Sequence, residues 1–430
     1  MNTLHVRAVA MAAALASTAV LAACGSSSDD GGGSTSTAAK PASTQAAAPA
    51  ADALGSPKKA SGSPVLLGLL NIEAGPVTFP EYRQAAEVAV KYINDYKGGI
   101  AGRPVKIVSC ATDGQPATSG RCAGQIVDKH PTAILGGADT GAPGAFKVWQ
   151  QAKLAAIGGI PFTPVESNAP NAAQFISVSV ADNAATVKYA SEKLGVKKLS
   201  VLYTDDSQGK YTGLGVIANV AKKLGMEVKT IPVAPSASDL SSVAAEAIGS
   251  SPDAIYVNSP NACPGLLKAL KSVGNQAKLL GIDPCTSPPA IKAAGDAAEG
   301  LYFAQPFESL DGGSKDAGTM LAAIKKYGGQ NIPLDSIAQA GFSSVINVQA
   351  ALNPLGADGL TTDAILKAVK SGSDHPNFLA HPYTCDGKQL PGSTAVCNTY
   401  QLMKQIKGGK ATTVDSEWVT GADDFTPPRP

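Results

Sequence analysis

The sequence predicts an α/β protein built as two doubly wound parallel-sheet lobes. Three observations lead there. From Pro64 onward, apolar runs of 5–8 residues alternate with longer stretches of helical period. The alternation occurs as two series of similar length, and 430 residues suit two or three ordinary domains.

In the first series Val65–Asn71 (VLLGLLN) reads as a buried strand. Glu81–Tyr96 places Ala85, Val88, Ala89, Tyr92 and Ile93 on one helical face. Val105–Thr112 is the next strand and Ser119–Lys129 the next helix, followed by strand Ala133–Gly137, helix Ala142–Ala152, and strands Ala155–Phe162 and Gln174–Val180. The second series has strand Leu199–Tyr203, helix Lys210–Leu224 ending at the C-capping Gly225, strand Glu227–Val233, helix Asp239–Ile248, strand Ala254–Asn258, helix Gly265–Val273, and strands Lys278–Ile282 and Gly300–Pro306. Strand–helix–strand units give parallel pairing with right-handed crossovers. Ligands of such sheets sit beyond the carboxyl ends of the strands. Here those ends carry Asn71, Glu73, Asp113, Asp139, Thr140, Thr163, Asp205, Asp206, Asn258 and Asp283. Any one of them also reads as a helix N-cap; together they fit a cleft between facing lobes.

The N-terminal segment is different in kind. Ala8–Ala23 is uncharged and, at 16 residues, too short for a spanning helix of about 20. It reads as a signal-peptide core over residues 1–23. Leu21-Ala22-Ala23-Cys24 resembles the lipobox of bacterial lipoproteins, which implies lipid attachment at Cys24 and anchoring outside the cell membrane. Residues 24–63 are mostly Gly, Ser, Thr, Ala and Pro with Leu54 the one large apolar side chain, so a flexible linker is expected.

Composition removes other classes. Lys+Arg 35 against Asp+Glu 34 leaves a net charge of +1, without the basic excess of a nucleic-acid binder. No G-x-S-x-G, H-E-x-x-H, G-x-G-x-x-G or Walker loop is present, Ser207-x-x-Lys210 is a bare four-residue spacing, and His130, His375 and His381 fall in loop contexts. The chain therefore reads as a binder and not an enzyme, with no cofactor. Beyond Cys24 six cysteines remain; an exported chain with an even count implies disulfides, and six allow 15 connectivities. Sequence neighbours at separations of 12, 22 and 12 predict Cys110–Cys122, Cys263–Cys285 and Cys385–Cys397. No C-x-x-C pair points to a metal.

Lys97-Gly98-Gly99-Ile100-Ala101-Gly102-Arg103-Pro104-Val105, the preceding Tyr92-Ile93-Asn94, and Gly295-Asp296-Ala297-Ala298-Glu299-Gly300-Leu301 resemble segments of the leucine/isoleucine/valine-binding proteins, the type I periplasmic solute-binding family of branched-chain amino-acid ABC importers. The resemblance implies lobes joined by three hinge crossings, near Ala181–Asp182, Pro306–Phe307 and Phe378–His381. Lobe 1 would comprise 64–181 and 307–379, with helices Ser336–Leu352 and Thr362–Lys370; lobe 2 would comprise 182–306 and 380–430, with a final strand Tyr400–Met403 and a turn at Lys404–Lys410. It implies hinge closure over a small amino-acid-like, amide or other polar solute, an ABC permease as membrane partner, and a monomeric chain. A sensing receptor of the same fold, working with a separate membrane protein, is the alternative.

The family's solute contacts map onto Thr140 and the free amides of the helix from Ala142 for a carboxylate, with the neighbouring Asp139 unfavourable to one, Ser167 for a second hydroxyl, Gln208 at a lid position usually aromatic, Asn261, and Asp283 for an ammonium. In the shortened first loop Phe79 would form a cleft wall or brace the loop, and Glu73 with Glu81 nearby would favour a solute with a positive group. Glu166 and Gln208 depart from the family pattern, which points away from plain leucine.

Overall fold

A computed structural model of the chain describes residues 52–75, 77–237 and 239–427. The expected signal peptide, Cys24 and linker residues 25–51 lie outside the described residues. Linker residues 52–63 do not behave as a leash. Leu54 is buried against α-helical residues of the body, the Thr319 hydroxyl donates to the Ala53 carbonyl (2.9 Å), and the amides of Lys58, Ala60 and Ser61 donate to Asp95, Asn94 and Gly102 carbonyls (2.9, 2.7 and 3.0 Å). A segment poor in apolar side chains is held here by its backbone, a contribution that composition does not reveal.

Lobe 1 opens with β1 (Val65–Ile72), α1 (Pro80–Tyr92), β2 (Val105–Thr112), α2 (Pro116–Val127), β3 (Ala133–Ile134), α3 (Ala142–Gln151), β4 (Ala156–Ile157), α4 (Pro164–Asn168) and β5 (Ala172–Ala173). Lobe 2 continues with α5 (Ala181–Glu192), β6 (Lys198–Thr204), α6 (Ser207–Lys210), α7 (Asn219–Lys223), β7 (Glu227–Val233), α8 (Ser241–Ile248), β8 (Ala254–Asn258), α9 (Cys263–Ser272), β9 (Lys278–Gly281), α10 (Pro288–Ala294) and β10 (Tyr302–Gln305). The chain returns to lobe 1 for α11 (Lys315–Tyr327), α12 (Ser336–Leu352) and α13 (Thr362–Lys370). It ends in lobe 2 with the hairpin β11 (Gln401–Lys407) and β12 (Lys410–Val419), where a short strand and a turn were expected. The first sheet is parallel, in the order β2-β1-β3-β4-β5; the second runs β12-β11-β10-β9-β8-β6-β7, parallel except for the β10–β11 and β11–β12 pairs.

Both faces of the first sheet are covered, as a parallel sheet requires. Leu67 and Leu69 meet Tyr82, Ala85 and Phe342 on one face; Leu70 and Ile134 meet Ile126, Phe146 and Trp149 on the other. The α1–α12 contact is close enough that a Cβ on Gly341 would lie 2.0 Å from the Tyr82 carbonyl oxygen, so only glycine fits. In lobe 2, Val201, Leu202, Val257, Leu266 and Phe303 form a separate core.

The crossings set the hinge. The chain leaves the first core at Ile176 and enters the second at Val180, so Ala181–Asp182 is the first turn of α5 and not the crossing. It returns between Ala304 and Phe307. The third crossing begins at Phe378–His381 but is drawn out: His381 packs on Tyr400 and Trp418, and Leu390 and Val396 join the second core, while neighbouring residues stay on lobe 1. The Gln174 amide donates to the Ala395 carbonyl (2.8 Å) and the Cys397 amide to the Gln174 carbonyl (3.0 Å), which holds that segment along the β5 edge of lobe 1, and the chain passes to β11 only after Asn398. Gln174–Val180, expected as a strand, is this edge and the first crossing. The cysteines join as Cys110–Cys122, Cys263–Cys285 and Cys385–Cys397.

Candidate functional site

The carboxyl ends of β1, β3 and β4 carry the lobe 1 candidates. Glu73 is held by Arg83 through two contacts of 2.6 and 2.9 Å and accepts from Asn71 (3.2 Å), so its charge is already matched. Phe79 ends the first loop at the start of α1 and stacks on Phe162 at 5.8 Å, forming an apolar wall. Gly137 lets β3 turn away beside β1, since a Cβ there would lie 1.6 Å from the Leu70 carbonyl oxygen. Asp139, next along, is buried: its Oδ1 accepts from the Thr112 hydroxyl (2.9 Å) and the Gly141 amide (3.2 Å), and burial pushes its carboxyl up. Thr140 is exposed, its hydroxyl donating to the Gly114 carbonyl (3.2 Å).

The Ser167 hydroxyl is turned back onto the Thr163 carbonyl (3.2 Å) within α4. Glu166 and Thr163 form a reciprocal capping box, in which Glu166 accepts the Phe162 and Thr163 amides (2.9 and 3.0 Å) and the Thr163 hydroxyl. Burial pushes the Glu166 carboxyl up to about 8. Its departure from the family pattern thus has a local structural cause.

In lobe 2, Gln208 and Asn261 are exposed and form no side-chain hydrogen bond among the described residues. Asp283 is different. Following β9, it accepts from the Gln305 amide and from Thr286 Oγ1 (3.2 Å), and its Oδ2 accepts from Ser336 Oγ at the first residue of α12. Ser336 belongs to lobe 1, so this hydrogen bond spans the cleft. Gln305, at the second crossing, accepts in turn from Lys404 Nζ (2.8 Å), a lysine buried in β11.

More acids surround this chain of contacts. Burial pushes Asp335, the N-cap of α12, up to about 6 and Asp182 up to about 7, with Asp283's charge raising both further. Glu81 in the first turn of α1 rises to about 7 through burial, with lesser contributions from Asp335 and Glu73. Lys404 falls to about 8 through burial, opposed by Asp283. The arrangement accepts hydrogen bonds far more than it donates them.

Of the eight expected solute residues, Asp283 alone bridges the lobes. Asp139 and Thr140 share one loop, and Gln208 and Asn261 stay apart from the bridge. Sequence reasoning missed Asp182, Gln305, Asp335, Ser336 and Lys404 as site residues. One signal existed: Lys404 is a lone charge within the apolar run Leu402–Ile406. A wider groove of about 470 Å³, lined by Ser251, Asp253, Asn275 and Lys278, lies at the amino ends of β8 and β9, opposite the end where such sheets bind ligands.

No curated protein sequence matches the chain. Solved structures share its fold. The fatty acid ABC transporter substrate-binding protein of Thermomonospora curvata is 21% identical, with a TM-score of 0.69 over 86% of this chain and 97% of its own. An ABC-transporter solute-binding protein of Rhodopseudomonas palustris, in complex with 3,4-dihydroxybenzoic acid, is 19% identical, with a TM-score of 0.67 over 84% and 98%. LivJ of Streptococcus pneumoniae, a branched-chain amino acid substrate-binding protein in complex with isoleucine, is 20% identical, with a TM-score of 0.65 over 83% and 100%. A family model described as periplasmic binding protein matches residues 64–398, most of the folded body. With its two α/β lobes, three crossings and bridged cleft, this chain belongs to the periplasmic binding protein family.

Proposed function

We propose that the protein is the extracytoplasmic solute-capturing component of an ABC importer, closing its lobes over a small polar solute and delivering it to a membrane permease. Cys24 carries the lipid anchor, the segment after it is the tether, and the chain works as a monomer. The observation that supports this most is the Asp283–Ser336 hydrogen bond between lobes: a carboxylate at a strand end, facing the other lobe, is where a solute donor group is gripped on closure. The relatives named above carry solutes as different as fatty acids, an aromatic acid and isoleucine, so the fold leaves the solute to side chains.

Those side chains favour a solute with a positive or N–H-rich group: an amino acid, an amide or an amine. Asp283 acts on the buried Lys404, which is already engaged by Gln305; Asp182 and Asp335 add further carboxyls close to Asp283, and Glu81 lies near Asp335. A bare carboxylate finds no free cation there. The Phe79–Phe162 pair offers an apolar surface for the solute's body. A thermal-shift screen against amino acids, amides, polyamines and aromatic acids tests this. Ligand at 100 times its Kd stabilises by about 2.7 kcal/mol. Shifts with amine- or amide-bearing compounds support the reading; a shift with aromatic acids alone overturns the solute class, and none with any compound overturns the binding role.

A further inference from the structure

A cavity of about 20 Å³ lies within lobe 1 beneath the carboxyl ends of β3 and β4, on the face covered by α3. Its lining is unexpectedly polar. Asp139 (4% exposed), Trp149 (2%), Glu166 (3%) and Gln174 (3%) all border it. Three atoms of these side chains are buried without a hydrogen-bond partner: Asp139 Oδ2, Gln174 Oε1 and Trp149 Nε1. The Ser119 hydroxyl stands near Asp139 and favours its charge, yet forms no hydrogen bond. Glu166 is satisfied by its capping box. Buried polar groups in native proteins almost always have partners, and three orphans around one cavity point to a common guest.

We propose that this cavity is a binding site for a single water molecule, which accepts the Trp149 Nε1–H and donates to Asp139 Oδ2 and Gln174 Oε1. Size and chemistry agree. One water needs at least roughly 10–15 Å³, so the space is large enough for one. The site presents one donor and two acceptors, and water supplies one lone pair and two hydrogens to match them. A metal or ammonium cation satisfies the two acceptors but leaves the indole N–H without an acceptor. An anion meets the indole but is repelled by both acceptor oxygens. Through this water α3, the β3–α3 loop and the β5 edge are joined, which braces the floor of the cleft. The water also takes the second oxygen of Asp139, the residue that sequence reasoning assigned to the solute. The inference does not depend on which solute binds.

The test uses the two tryptophans of the chain, Trp149 and Trp418. In ¹⁵N-labelled protein their indole N–H signals are told apart by Trp418→Phe. The Trp149 indole is expected to show cross-peaks to water in both NOESY and ROESY spectra, with the opposite signs of a water that tumbles with the protein. Gln174→Leu, which fills the space and removes one acceptor, is expected to abolish them while the indole signal persists; should that variant fail to fold, the wild-type spectra decide alone. A Trp149 indole without water cross-peaks overturns the proposal. So does a Trp149 shift that saturates with sodium, potassium or ammonium chloride and erases the water signal, which would make the site a cation site.

Discussion

Replacing Ser336 with alanine removes the one hydroxyl that ties Asp283 of lobe 2 to α12 of lobe 1. A hydrogen bond to a charged group contributes about 1.5–3 kcal/mol. Asp283 is only partly buried and keeps its bonds from Gln305 and Thr286, so the lower end applies. About 1.5 kcal/mol corresponds to a roughly tenfold lower ratio of closed to open protein. The core is untouched, because Ser336 begins the helix and Asp335 still caps it through the Ile337 and Ala338 amides (3.1 Å each). Spin labels at exposed Lys91 on α1 and Lys222 on α7 report the lobe separation by pulsed electron resonance. The ratio of short- to long-distance populations in the solute-free protein is expected to fall about tenfold in Ser336→Ala. A wild-type distribution without the short distance, or a variant distribution identical to wild type, refutes the reasoning.

Three further outcomes follow from the same contacts. Glu81 and Asp182 rise to about 7 in the fold from 4.5 and 3.8, so the native state binds more protons than the unfolded chain between about pH 4 and 7. Stability is therefore greatest at the acid end of that window and falls as pH rises through 7, which thermal unfolding at pH 5, 6 and 7.5 checks; a rise over that range contradicts it. Lys404→Met leaves Gln305 Oε1 without its donor in a buried site and is expected to destabilise the protein by about 1–3 kcal/mol in urea unfolding. Cys263→Ser with Cys285→Ser opens a loop of 22 residues and is expected to lower stability by roughly 3 kcal/mol, while peptide mass mapping of the wild type finds the three neighbour pairs and no free thiol among the six.

Much of the fold was legible because its strands are buried and uniform. β2, β7 and β8 have the bounds that the strand pattern gives, and α12 and α13 those that the family resemblance implies. α5 was not legible: Ala181–Ala185, Thr186, Val187, Tyr189 and Ala190 are all buried, so the helix shows no polar face. β5 shrank to Ala172–Ala173 because the apolar residues after it cross to the other lobe instead of pairing within the sheet. The site was less legible still. Asp283 could be placed at a strand end, but its partners are 22 and 53 residues away, and Ser336 had appeared only as a helix start. Contacts between lobes arise from how two separate sheets close on each other, and no local pattern encodes that. Glu166 shows the reverse case: an apparent departure in the site is a capping box four residues wide, Thr163 to Glu166, readable from the sequence alone once helix starts are considered.

The central claim is that a small solute is gripped between the lobes by Asp283. Isothermal titration of the compound giving the largest thermal shift, against wild-type protein and Asp283→Ala, tests it most directly. The account predicts saturable binding of one solute per chain and a loss of roughly 10- to 100-fold in the variant, the equivalent of one charge-assisted hydrogen bond. Equal affinity in the two proteins would contradict it.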